Sequence, residues 1–427
     1  MKIFSGTSKR FLKEIALIEN RWDHTDANVE AVVGEILKNV RIKGDRELVR
    51  LTKKFEGVDL AEVGFCVEKE EILAAKSGVS SKLRKELRFA ADRISAFHKN
   101  QVERSWKVKE DGATLGQIIR PVDSAGIYAP GGKGAYPSSV LMNAIPAKVA
   151  GVKNIVLCTP ATGGEISSAI LVAADIAGVS KIYRIGGAQA IAAMAYGTKQ
   201  VAKVDKITGP GNAYVAEAKR QVFGRVGVDM VAGPSEILII ADESAKPAFI
   251  AADLISQAEH DEMAYPVLVT VSETLAANVV KELKLQTEKL SRKEIIRASL
   301  KKNCRCFVVE CMETAIDLAN RFTPEHLEVM TRKPQSVASR INNAGAVFVG
   351  EYTPEAVGDY VAGPNHVLPT GGSARFFSPL GVYDFMKKTS FISFTKKGLE
   401  RVSGPVIGIA EAEGFSGHAE AVRARIE

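Results

Sequence analysis

Residues 154–207 read NIVLCTPATGGEISSAILVAADIAGVSKIYRIGGAQAIAAMAYGTKQVAKVDKI. Three short apolar runs, Asn154–Cys158, Lys181–Ile185 and Lys203–Ile207, alternate with Ala-rich stretches of helical texture. Parallel strands can be joined only by a crossover, so strand–helix–strand alternation implies a parallel sheet covered by helices. After Gly233-Pro234 the alternation resumes. Its strand candidates are Glu236–Ile240, Pro266–Val271, Cys306–Val309 and Ala346–Val349, with helical patterns between them that include the charged run 273–299. Two α/β units are expected, although no identity between the two runs demonstrates duplication.

Working outward, residues 26–55 and 69–101 read as helices. In the second, Leu83, Leu87, Ala90, Ile94 and Phe97 fall on one helical face. Beyond Gly381 the texture changes to aromatic β-like sequence (Tyr383, Phe385, Phe391, Phe394) and then two short helical pieces. That tail is too small to own a core and must pack on its own chain or on a partner's.

The hydrophobic fraction of 46% and charged fraction of 25% exclude wholesale disorder and a fibrous repeat. No apolar run is long enough for a membrane helix, and the N-terminus lacks the apolar segment of a signal peptide. The excess of 57 Lys+Arg over 50 Asp+Glu is mild and is not gathered into a basic block. It favours an anionic small ligand over nucleic acid. A soluble cytoplasmic protein is expected, with its five cysteines, which include no CxxC pair, as reduced buried thiols.

Neither a GxGxxG fingerprint nor a phosphate-binding GxxxxGK[ST] occurs. Three glycine loops nonetheless follow strands: Ala129-Pro130-Gly131-Gly132, Ile185-Gly186-Gly187-Ala188-Gln189 and Thr208-Gly209-Pro210-Gly211-Asn212. Strand ends that open onto helix N-termini are where open α/β sheets hold ligands, and Tyr128, Gln189 and Asn212 lie beside these loops. The alternative is that the glycines only make tight connections.

Polar clusters mark the C-terminal half. Gln257 and His260 share a helical face at the end of an apolar helix. Glu325 and His326 stand side by side in FTPEHLE, two bases of different pKa. Asp359 lies between glycines in GDYVAGPNHV, and Glu413 and His418 lie in EGFSGH of the tail. Each alone is a weak signal. Together they supply nitrogen and oxygen ligands for one divalent ion, plus two bases, and zinc accepts such a set.

The chain resembles the histidinol dehydrogenases along nearly its whole length. The resemblance rests on YAPGGKGAYPSSVLMNAIPAKVAGV (128–152), IGGAQAIAAMAYGT (185–198), KITGPGNAYVAEAKRQVFG (206–224), DMVAGPSEILIIAD (229–242), ISQAEHD (255–261), FTPEHLE (322–328), GDYVAGPNHVLPTGG (358–372) and EGFSGHAEAV (413–422). It implies oxidation of L-histidinol to L-histidine through the aldehyde, the last step of histidine biosynthesis, with two NAD consumed per turnover and one zinc per subunit. By the same resemblance the zinc ligands are Gln257, His260, Asp359 and His418, and the catalytic bases are Glu325 and His326. Substrate contacts fall on Ser235, Gln257, His260, His326, Asp359, Glu413 and His418, and NAD contacts on Tyr128, Gln189 and Asn212. It further implies a homodimer whose exchanged tails complete the neighbouring sites, with no nucleic acid or membrane partner.

The fold expected is two Rossmann-like parallel-sheet domains without the GxGxxG fingerprint, plus an N-terminal helical arm (1–25) and a dimerisation tail (381–427). The NAD-binding domain is expected at 128–234, and a discontinuous catalytic and zinc domain at 26–127 with 235–380. His366 is expected to shape the site rather than ligate. Two rival readings remain at this point: a thiol-dependent aldehyde dehydrogenase acting through Cys158, and a non-catalytic metal- or nucleotide-binding regulator on the same fold.

Overall fold

The computed structural model describes residues 1–6, 9–21, 27–131, 134–231 and 233–427. Gly132 of the first glycine loop and the expected boundary at 25/26 lie outside the described residues. The strands in chain order are β1 (Lys2–Ser5), β2 (Trp106–Glu110), β3 (Ala113–Pro121), β4 (Ser124–Tyr128), β5 (Asn154–Thr159), β6 (Lys181–Arg184), β7 (Lys206–Thr208), β8 (Gly227–Val228), β9 (Glu236–Ala241), β10 (Tyr265–Thr270), β11 (Arg305–Val308), β12 (His326–Met330), β13 (Ala346–Val349) and β14 (Met386–Phe394).

Two sheets are wholly parallel, as the alternation requires. The first runs β6-β5-β4-β7-β8, and the second β1-β11-β10-β9-β12-β13. Ile237 and Ile239 of β9 point into one apolar cluster, Leu238 and Ile240 into another. The second sheet is thus buried on both faces, which is why its strands read as unbroken apolar runs. A third, antiparallel sheet, β14-β3-β2, was not foreseen.

Three expectations need correction. The N-terminal arm is not purely helical: β1 pairs with β11 as the edge strand of the second sheet, and Phe4 stacks on Phe307 with ring centroids 5.7 Å apart. The following helix, Lys9–Glu19, buries Phe11, Ile15 and Ile18 beside it. A four-residue strand is too short to show a period. Second, the helices of 26–101 cover the first sheet, not the second. Val33, Leu48, Leu87 and Ile94 share one core with Ala125, Leu157 and Met194 of the first sheet's unit. Helical periodicity identifies a buried face but not the sheet it covers. Third, the helix expected over 69–101 is two, Lys69–Gly78 and Ser81–Lys99, and Ser80 caps the second by accepting from the Leu83 N–H at 3.1 Å.

The tail begins on its own chain. Leu380, Val382 and Phe385 are buried in the first core, and β14 runs antiparallel to β3. The helices beyond, Lys396–Ala412 and Ser416–Ile426, bury only Gly398, Ala410 and Ala419. Among the described residues no helix is long and apolar enough to cross a membrane.

Candidate functional site

In the first sheet the strand order reverses between β4 and β7. Tyr128 ends β4, Gln189 enters the Gly187–Tyr196 helix after β6, and Asn212 caps the Ala213–Val222 helix after β7. All three therefore stand at the carboxyl ends of the strands, around the switch point where such sheets bind ligands. The glycines of these loops serve close backbone approach. A Cβ on Gly209 would lie 2.0 Å from the Tyr128 carbonyl oxygen, and one on Gly186 would lie 2.7 Å from Pro160 Cβ. Tyr128 and Gln189 are buried and Asn212 is exposed. The Tyr128 hydroxyl accepts from the Gly187 N–H at 3.0 Å, and the Asn212 side chain accepts from the Val215 N–H at 3.1 Å.

The second sheet carries its polar cluster at the opposite end. His326 opens β12 and pairs in register with Ile237 of β9. Before it, the Met312–Phe322 helix stops at Thr323, a non-glycine residue held at φ 45°. Gly345 permits the close approach of the next strand, because a Cβ there would lie 2.5 Å from the Glu325 carbonyl oxygen. Glu325 and His326 are thus fixed by backbone that few residues could adopt.

Glu236, at the start of β9, organises the pair. Its N–H donates to Glu325 Oε2 at 2.9 Å, and its carbonyl oxygen takes a hydrogen bond from His326 Nδ1 at 2.9 Å. A carbonyl can only accept, so Nδ1 carries the proton and Nε2 of the neutral ring is the basic nitrogen. His326 Nε2 is buried without a hydrogen-bond partner and faces Asp359 Oδ1 at 3.7 Å. The Glu236 carboxylate is itself clamped by Arg21 Nε and Nη2, at 2.5 and 2.7 Å, and accepts from the Gly371 N–H at 3.0 Å.

Gln257 and His260 arrive at the C-terminal end of the Pro247–Ala258 helix, and Asp359 on the short helix Glu355–Tyr360. Potential ligand atoms of His260, Glu355 and Asp359 lie within 4.8 Å of one another. Oriented to satisfy its neighbours, the Gln257 amide nitrogen donates to Glu355 Oε2 at 2.8 Å, and its oxygen accepts from the Glu236 N–H at 3.1 Å. Sequence reading missed Glu355. Its signal was the spacing Glu355/Asp359, one helical turn apart in PEAVGDY. His366 borders the cluster: Nδ1 bonds the Asp359 carbonyl at 2.9 Å, while Nε2 lies 3.5 Å from Ser139 Oγ. Ser139 belongs to the Pro137–Ala150 helix that follows the first glycine loop, so the two units meet at this cluster.

The electrostatics follow from burial. Burial pushes Glu325 and Glu355 up to about 8. It would also raise Asp359, but the facing imidazoles of His326, His366 and His260 prevail and bring it down to about 2. Burial works to lower His326, yet the carboxyls of Glu355, Glu325 and Asp359 outweigh it and raise the ring well above its ordinary value. Carboxyls crowded out of water around imidazoles form a set whose charge a divalent cation offsets, and all donors are nitrogen or oxygen. The residues present therefore fit a zinc-class ion.

Of the residues expected at one site, Gln257, His260, Glu325, His326 and Asp359 come together, and Ser235 immediately precedes Glu236. Glu413 and His418 do not join them; both are exposed on the tail helices. Cys158 is buried at the carboxyl end of β5, and burial pushes its thiol up, away from the thiolate. Cys304 and Cys306 are buried as expected, whereas Cys311 is exposed.

Comparison with known proteins shows the family. The family model described as histidinol dehydrogenase matches residues 19–426. A histidinol dehydrogenase of Syntrophotalea carbinolica is 49% identical over 428 residues, covering 100% of this chain and 99% of the relative. One from Heliobacterium mobile is 52% identical and covers 94% of this chain and 95% of its own length. The crystal structure of histidinol dehydrogenase from Elizabethkingia anophelis superposes with a TM-score of 0.94 at 37% identity, covering 100% of this chain and 98% of that one.

Proposed function

The chain belongs to the histidinol dehydrogenase family, and on that premise we propose that it oxidises L-histidinol to L-histidine through the aldehyde, with NAD as hydride acceptor, in histidine biosynthesis. The observation that carries the reading is the buried Glu325–His326 pair beside His260, Glu355 and Asp359.

His326 is the base of the alcohol step. Hydride can leave the alcohol carbon only as the hydroxyl proton is removed, and Nε2 is the acceptor because Nδ1 is committed to the Glu236 carbonyl. Glu325 Oε2 lies 3.6 Å from the imidazole and serves the second step, taking a proton from the water that adds to the aldehyde. Gln257, His260, Asp359 and His418 would hold zinc, one ion per subunit. When bound, the ion supplies Lewis-acid charge and fixes the substrate's amine and imidazole in one orientation for both oxidations. Glu355 holds the Gln257 amide. Ser235 and Glu413 complete the substrate contacts.

Two NAD molecules are consumed in succession at the carboxyl end of the first sheet, beside Tyr128, Gln189 and Asn212. The Pro137–Ala150 helix links that end to His366 and so to the reacting groups. The chain acts as a homodimer. Exposed Val406 and Ile409 on the first tail helix and Phe415 between the two, with Trp106, Val108 and Ile392 on the third sheet, are the apolar surface a second copy covers. Each tail thereby carries Glu413 and His418 to the other subunit's site. The rival thiol route through Cys158 has no support in that residue's surroundings, where burial disfavours the thiolate.

The test is NADH formation from histidinol by zinc-loaded protein, expected at two NADH per histidinol. Absence of NADH formation by folded, metal-loaded dimer would contradict the assignment.

A further inference from the structure

Glu56 is a half-buried acid that the reaction does not use. It lies at the C-terminal end of the Asp45–Glu56 helix and reaches into the carboxyl end of the first sheet. Its Oε1 accepts from the Gly186 N–H at 3.0 Å and from the Gln189 side-chain nitrogen at 3.2 Å, and its Oε2 accepts from the Ala161 N–H at 3.3 Å. With Tyr128 accepting from the Gly187 N–H, the first two amides entering the Gly187–Tyr196 helix are both occupied by the protein's own side chains. In a fingerprint-bearing sheet such amides meet a phosphate. Here a carboxylate stands in the phosphate's place. Among the described residues no lysine or arginine makes an ion pair with it.

We infer that Glu56 is the specificity residue that confines this site to nucleotides without a 2′-phosphate, NAD rather than NADP. The inference rests on the placement of NAD beside Tyr128, Gln189 and Asn212 proposed above. A nucleotide touching Gln189 lies next to an acid that Gln189 itself hydrogen-bonds. The ribose hydroxyls of NAD can donate to that carboxylate. Burial pushes the Glu56 carboxyl up to about 7, so above that pH a 2′-phosphate dianion, which cannot donate to it, meets a negative charge that no ion-paired cation offsets. The same feature accounts for the missing fingerprint: a glycine-rich phosphate loop has no role where the helix N-terminus is already satisfied.

The test compares NAD and NADP affinities by calorimetry in wild type, Glu56→Gln and Glu56→Asp, with thermal unfolding as the check on folding. The NAD-over-NADP preference should fall about tenfold in Glu56→Gln and survive in Glu56→Asp, since like-charge repulsion across a few ångströms is worth about that factor. An unchanged preference in folded Glu56→Gln overturns the inference. Should that variant not fold, wild type bound to ADP-ribose and to its 2′-phosphate at ~0.05 and ~0.5 M salt replaces it. Repulsion predicts that the affinity gap narrows with salt; a gap that widens or stays constant overturns the inference. Failure of the underlying placement is seen separately, as NAD affinity equal to wild type in Gln189→Ala and Asn212→Ala.

Discussion

β4 and β9 occupy the same place in their sheets. Each is the first strand of its unit, with the second and third strands on one side and the fourth and fifth on the other; β1 is added at the far edge of the second sheet. Around β4 the ligand-facing groups gather at the carboxyl ends of the strands, where helices begin. Around β9 they gather at the amino ends, where helices finish: Gln257 and His260 at the close of Pro247–Ala258, Glu325 shortly after Met312–Phe322. Helix N-termini present N–H groups and positive potential, and helix C-termini present carbonyls and negative potential. One end suits an anionic dinucleotide and the other a divalent cation. On the proposed function, the same topology, read from its two ends, separates holding the oxidant from performing the chemistry.

That separation can be broken by experiment. The largest effect should come from metal removal. Exhaustive chelation is expected to abolish turnover and added zinc to restore it, while NAD affinity changes little. Full activity in verified metal-free protein would break the division at once.

Next comes complementation between subunits. His418→Ala and His260→Ala should each be inactive alone. Refolded together with exchanged tails, half the dimers are mixed and one of their two sites is intact, so roughly a quarter of wild-type activity should return. No recovery, with mixed dimers shown to form, would return His418 to its own chain.

A smaller effect is expected at the first sheet. Asn212→Ala should raise KM for NAD severalfold, through loss of a contact and of a helix cap worth about 1 kcal/mol, and leave kcat nearly unchanged. A collapse of kcat with KM intact would place chemistry where only binding is assigned. Smallest of all is Cys158→Ser, expected to stay within a few-fold of wild type. A loss of orders of magnitude in folded protein would revive the thiol route.

Much of this was legible in the sequence. The alternation over 154–207 and beyond Gly233 locates most strands of both parallel sheets, because strands buried on both faces must be apolar throughout. Gln257, His260, Glu325, His326 and Asp359 were marked by polar residues in apolar or glycine-rich surroundings. The missed features are those that depend on distance in space. Nothing in LVRLTKKFEG says that Glu56 reaches the loop at Gly186. Nothing in KIFS says that it pairs with Arg305–Val308. The helices of 26–101 were assigned to the wrong sheet for the same reason. Arg21 and Glu236, the second of which holds Glu325 and His326, are separated by 215 positions.

The central claim is that His326 and Glu325 serve successive oxidations at the amino end of the second sheet. It is tested most directly by following NADH formation from histidinol and, separately, from added histidinal in His326→Asn and Glu325→Gln. His326→Asn should slow histidinol oxidation ~10²–10⁴-fold, the usual cost of losing a general base. Glu325→Gln should spare that first hydride and stall oxidation of histidinal by a similar factor. Equal damage to both half-reactions by both substitutions would contradict the account.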